Sequence, residues 1–217
     1  MTSTEQQIQE VYIGLLGRAA DKEGLDYWSR QIYLGALTIE QLRANIVNEQ
    51  PEYQLGLGTL SRLDTIIELY RRLFAREPES EGLQYWATGD GSGVNIDQLV
   101  FALSEGASAV DRRAIENKTV AASYYTENIP FYDETTAQEA VIAVDDNPNT
   151  VTTAISIIDA FLNAQGETFE LQAGTDILTG TAANDIFHAI GGNTAVTNNT
   201  DQLDGGAGND TLKIDSS

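Results

Sequence analysis

The chain has 217 residues, 41% of them apolar and 21% charged, a composition that folds around a core rather than remaining disordered. Twelve Lys and Arg against 33 Asp and Glu leave a net charge of −21, which excludes the basic face that a nucleic-acid partner requires and disfavours contact with an anionic membrane surface. Cysteine is absent, so disulfides and thiolate metal sites are excluded, and no apolar run approaches the roughly 20 residues of a membrane span.

The first seven residues, from Met1 to Gln7, lack both the basic start and the apolar stretch of a cleaved signal peptide, so export would have to use a signal elsewhere. An internal repeat follows. Ile8 to Trp28 (IQEVYIGLLGRAADKEGLDYW) aligns with Ile66 to Trp86 (IIELYRRLFAREPESEGLQYW), pairing Tyr12 with Tyr70, Arg18 with Arg76, Gly24 with Gly82 and Trp28 with Trp86. Each copy opens on apolar residues three and four apart, Ile8, Val11, Tyr12, Leu15 and Ile66, Leu69, Tyr70, Leu73, which predicts an amphipathic helix. A second helix is predicted to start at Asp21 or Glu79, where a carboxylate suits the free N–H groups. A third starts at a box-like Thr38-Ile39-Glu40-Gln41 or Asn95-Ile96-Asp97-Gln98. The units span about 5–57 and 63–106 and are expected to hold three helices each.

Further helices are predicted at about 108–127, about 136–144 with Thr136 and Glu139 as its opening pair, and about 148–164 after Asn147-Pro148. A helical anchoring domain is therefore expected over 1–166. From Gly166 the composition changes to Gly, Asn, Thr and Asp, and residues 167–217 are expected to form a different structure. Charge is uneven in the same direction: residues 1–118 carry 11 basic and 18 acidic side chains, whereas residues 119–217 carry Lys213 alone against 15 acids. Such a segment repels itself, and a divalent cation is the usual relief; an acidic surface that serves only solubility is the alternative.

The tail reads in blocks of nine. Residues 171–179 (LQAGTDILT) and 180–188 (GTAANDIFH) adjoin, and after 16 residues comes 205–213 (GGAGNDTLK). The last fits G-G-x-G-x-D-x-U-x throughout, and the other two keep Asp at place six and a large apolar residue at place eight. Glycines let the backbone turn with its carbonyls inward, Asp adds a charged oxygen, and oxygen is the donor calcium prefers. Candidate Ca2+ ligands are Asp176, Asp185 and Asp210, with Gly174, Asn184, Gly205, Ala207 and Gly208. If residues 189–204 loop out, the blocks at 171 and 205 share an edge, and Asp176 and Asp210 share an ion.

These blocks resemble the repeats of RTX proteins, which leave the cell by type I secretion with an uncleaved C-terminal signal. The G-L-x-Y-W cores look like the DUF4214 domain often found beside RTX repeats, and the order of parts is similar to the start of S-layer proteins of the Caulobacter type. The resemblance implies a mainly α fold, with a duplicated helical N-terminal domain followed by a short parallel β-roll. It also implies a secreted, non-enzymatic protein kept at the bacterial cell surface. The implied partners are the O-antigen of lipopolysaccharide or another surface polysaccharide, and further copies of the protein in a lattice. Leu171 and Gln172 depart from the first block's glycines, and Ala183 from one of the second's. An accessory domain of a secreted RTX enzyme or adhesin is the rival reading.

Tyr27-Trp28 and Tyr85-Trp86 could stack on sugar rings, although their equivalent positions in two copies favour packing between helices. His188 is the single histidine and occupies the variable ninth place of a repeat. No serine sits in a nucleophile elbow, so no catalytic residue is assigned.

Overall fold

A computed structural model describes residues 3–129, 131–190 and 196–215. The chain is mainly helical with a few short parallel strands. It divides into two compact units, Met1–Ile158 and Asp159–Ser217.

In the first unit the repeat is visible as a recurring order of helices. α1 (Ser3–Leu16), α2 (Lys22–Tyr33), α3 (Ile39–Glu49) and the five-residue α4 (Pro51–Leu55) are followed by α5 (Arg62–Phe74), α6 (Ser80–Ala87), α7 (Leu99–Glu105) and α8 (Ala109–Asn128). The first repeat therefore contains a helix beyond the three expected, the short α4, while α8 follows the second repeat at the place predicted for a further helix, about 108–127. The apolar stripes predicted for α1 and α5 are buried throughout, with Ile8, Val11, Ile66, Leu69 and Leu73 fully excluded from solvent. Burial of such stripes, more than helix propensity, holds short helices in place.

The helix starts show which side chains close the free N–H groups. Asp21 accepts from the Gly24 N–H at 2.9 Å, and Thr38 forms a reciprocal capping box with Gln41. The second repeat departs from this pattern. Glu79 stands at the N-cap of α6 without capping it, because its carboxylate takes an Arg76 N–H at 2.7 Å instead. Asn95 precedes a short 3₁₀ turn, Ile96–Gln98, and makes no side-chain cap. α9 (Glu134–Ile142) is capped by Asp133, which accepts from the Thr136 N–H at 2.7 Å; the expected opening at Thr136 lies one turn too late. α10 (Pro148–Ala164) starts behind Asn147, whose side chain accepts from the Asn149 N–H.

Polar groups tie the helices together. Arg18 at the end of α1 donates to Glu52 of α4 at 2.8 Å and stacks on Tyr12 and Tyr132. Its counterpart Arg76 donates to both oxygens of Asp111, in the first turn of α8, at 2.7 and 2.8 Å and lies over Tyr70 and Phe74. Two parallel N–H bonds to one carboxylate make this the stronger geometry. Arg72 of α5 reaches the Gly14 and Leu15 carbonyls of α1 and so joins the two repeats. Gln9 is wholly buried and is held by the Thr126 hydroxyl and the Ala20 N–H.

In the second unit the chain alternates between two sheets. β1 (Gln165–Glu170), β3 (Asn184–Ile190) and β5 (Thr211–Asp215) form one parallel sheet in that order, and β2 (Ile177–Thr179) pairs in parallel with β4 (Gln202–Asp204). Leu171, Phe187 and Ala189 are buried at its centre, with Phe169, Leu178, Val196 and Leu203 packed against them. The Phe169 and Phe187 rings stack 5.1 Å apart.

Candidate functional site

The strand register corrects the expected pairing of the blocks. Phe187 lies opposite Leu212, which puts the blocks at 180 and 205 on one sheet, while Leu178 lies opposite Leu203. Asp210 therefore neighbours Asp185, not Asp176. The Asp210 carboxylate accepts the Asp185 N–H at 2.9 Å, and Asp176 instead donates its N–H to Asp201 at 3.0 Å. The reason is a nonapeptide that lacks the glycine signature. Residues 196–204 (VTNNTDQLD) keep Asp201 at place six and Leu203 at place eight. The surplus between blocks is thus the seven residues 189–195, of which 191–195 lie outside the described residues.

The same register extends backwards, with Phe169 opposite Phe187 and Glu170 opposite His188. His188 makes a 3.1 Å contact with Glu170, and Lys213 follows His188 in register on β5. Equivalent side chains form ladders elsewhere: Thr175 and Thr200 hydroxyls lie 2.7 Å apart, and Asn184 Oδ1 accepts the Asn209 N–H at 2.8 Å.

The place-six carboxylates turn inward onto backbone. Asp176 accepts the Gln172 N–H at 2.9 Å, and Asp201 accepts from Asn198 at 2.8 Å as well as from Asp176. Those two N–H bonds hold the Asp201 carboxyl below the usual carboxylate range. Among the candidate carbonyls, that of Gly174 is taken by the Asn198 amide, while the Ala207 N–H bonds the Thr181 carbonyl of the preceding block at 3.3 Å. Gly206 and Gly208 have φ of 81° and 112°, a region closed to ordinary side chains. A Cβ on either would also overlap a carbonyl oxygen, that of Thr181 or of Ala183. Carbonyls of one block thus crowd against the glycines of the next. Among the described residues, no three Asp, Glu or His side chains converge as a metal-holding group.

The aromatic pairs of the first unit are divided between packing and exposure. Trp28 is 9% exposed, whereas Tyr27 and Tyr85 are 53% and 47% exposed. Each Tyr stands edge-on to its Trp, at 5.2 and 4.9 Å. Trp28 and Trp86 lie beside the hydroxyls of Tyr12 and Tyr70, where the second helix of each repeat meets its first. Burial pushes the Tyr12 hydroxyl up to about 12. A groove of about 540 Å³ runs along the C-terminal ends of α1, α5 and α9, with Glu68, Arg71, Arg72, Gln138 and Asp145 around Leu16 and Val141. The groove is assembled from three segments distant in the sequence, so spacing along the chain does not reveal it.

No helix among the described residues is long and apolar enough to cross a membrane. The chain matches no curated protein and no solved structure. Residues 1–50 match the family model described as a domain of unknown function, DUF4214; the match spans α1 to α3 of the first repeat, and the second repeat and the whole second unit lie outside it.

Proposed function

We propose that the chain is a non-enzymatic anchoring region, in which a helical unit holds a cell-surface polysaccharide and the second unit is the start of an RTX-type β-roll stabilised by calcium. The observation that carries this reading is the alternation of short parallel strands, one per nonapeptide, with Asp and the glycine turns stacked between successive passes. Backbone carbonyls and Asp are an oxygen-only donor set of the kind calcium takes. The residues proposed for the ion are Gly205, Ala207, Gly208 and Asp210, in the turn whose left-handed glycines, Gly206 and Gly208, run close against the Thr181 and Ala183 carbonyls. Calcium, when bound, would offset the acidity of the tail and tie successive passes together.

Calorimetric titration of the chain with CaCl2 should give a dissociation constant of roughly 10⁻⁴ to 10⁻³ M, the range of extracellular modules. Asp210→Asn should weaken it by about tenfold and leave the helical circular dichroism unchanged. Heat of binding that is identical in Asp210→Asn would remove the glycine-rich block from the site.

For the helical unit, the groove mixes carboxylate, guanidinium and amide groups over an apolar floor, a lining suited to a hydroxyl-rich ring. Retention of the chain on immobilised lipopolysaccharide, and its loss in EGTA, is the expected outcome. Absence of retention at millimolar calcium would instead favour the accessory region of a secreted enzyme or adhesin.

A further inference from the structure

We infer that Asp185 is not a calcium ligand but a metal-independent latch that holds three successive passes of the second unit together; this rests on the calcium reading for its contrast with the block at 205. Four observations carry it. Asp185 is 1% exposed, the most enclosed of the place-six residues. Its Oδ1 accepts the Glu167 N–H of β1 at 2.6 Å, and its Oδ2 accepts the Thr181 N–H at 2.5 Å. The Thr181 hydroxyl adds 3.1 and 3.3 Å contacts to the two oxygens. The Asp185 N–H itself goes forward to Asp210, so one residue bonds the pass before it, its own turn and the pass after it.

The backbone is shaped around this carboxylate. Between Gln165↔Asn184 and Thr168↔Ile186, two residues of β1 stand opposite Asp185 alone, a bulge that leaves an N–H free to turn aside. A Cβ at Gly166 would overlap Asp185 Oδ1, and one at Gly180 would overlap Oδ2, so glycine at both positions leaves the carboxylate the space it occupies. Meanwhile the turn positions that are left-handed glycines at 206 and 208 are Thr181 and Ala183 here, and neither has a positive φ. A carboxylate already surrounded by N–H and O–H donors, on a turn without the left-handed glycines, offers a cation neither free oxygens nor a way in.

Hydrogen exchange of the whole chain, read by mass spectrometry in EGTA and in CaCl2, tests this. The Glu167 and Thr181 amides are expected to be protected in both buffers, with rates within about twofold, while amides of residues 206–210 slow by about tenfold or more with calcium. Unprotected Glu167 and Thr181 in EGTA that become protected with calcium would make Asp185 a ligand and overturn the latch. Lack of protection in both buffers would overturn it as well. Protection of both in both buffers, with no response at 206–210, would retain the latch and sink the calcium reading alone. Asp185→Asn, which loses an acceptor oxygen, should speed exchange at Glu167 or Thr181 by about tenfold in either buffer, whereas Asp210→Asn should leave those two amides unchanged.

Discussion

Replacing Arg76 by Met is expected to lower the stability of the helical unit by about 3 kcal/mol at pH 7, because it leaves the Asp111 carboxylate buried without its partner. Asp111 is 4% exposed and receives two Arg76 N–H bonds. Its remaining side-chain donor is the Ser108 hydroxyl at 2.9 Å. Urea unfolding monitored by helical circular dichroism measures the loss directly. The pH dependence identifies the cause. Hydrogen bonding from Arg76, above all, holds the Asp111 carboxyl below its ordinary value in the folded chain. The stability contributed by the pair is therefore fully present above the unfolded carboxyl's pKa of about 3.9 and is lost as pH falls through the depressed folded value. Wild type and variant should differ most near neutrality and converge in acid. An equal difference at both extremes would assign the loss to packing of the Arg76 stem on Tyr70 and Phe74, not to the carboxylate.

The second large effect runs the other way: Lys118→Met is expected to stabilise the chain by about 2 kcal/mol at neutral pH. Lys118 lies on α8 with its side chain wholly buried, its ammonium donating to the Val141 carbonyl at the end of α9. Burial is the main reason its pKa falls to about 8, with Asp145 pulling weakly in the opposite direction. The unfolded lysine titrates near 10.4, so between about pH 8 and that value the unfolded chain binds a proton that the folded chain has released. Wild-type stability should therefore rise with pH across that window, and the advantage of Met should shrink as it does. The Val141 carbonyl keeps a backbone donor, the Val144 N–H at 3.3 Å, so the substitution orphans no acceptor. Urea midpoints at neutral pH and near pH 10 compare the two. A variant weaker than wild type at neutral pH would show that the ammonium–carbonyl bond outweighs the burial of charge.

Most of the helical architecture was legible in the order of residues, because burial of an amphipathic stripe depends on spacing alone. Ile8-Val11-Tyr12-Leu15 and Ile66-Leu69-Tyr70-Leu73 identify themselves, and the repeat of Arg18 as Arg76 marks a shared tertiary role. What such reading misses is choice among competing partners. Glu79 has the spacing of a cap, yet Arg76 takes its carboxylate. Asp133 caps α9 although Thr136 has the box-like neighbour. In the second unit, the block at 196–204 has none of the glycines that mark the repeat in the order of residues. Strand pairing requires an apolar residue at place eight and an acceptor at place six; Leu203 and Asp201 suffice for both. Glycine is required only where φ turns positive or a carboxylate folds against the chain, as at Gly206 and Gly166. The edge on which each Asp falls depends on the length of the interruption, which is seven residues when 196–204 pairs as a block and 16 when it is counted as loop.

The two arginine pairs of the helical repeats draw their acids from very different elements: Glu52 sits in a helix of five residues, and Asp111 opens one of 20. Such a clamp asks only that the incoming helix present one carboxylate in its first turn. Everything downstream of that turn is left unconstrained, so one duplicated block can run on into a sister copy and the other into a long strut, without either copy having to redesign its own joint.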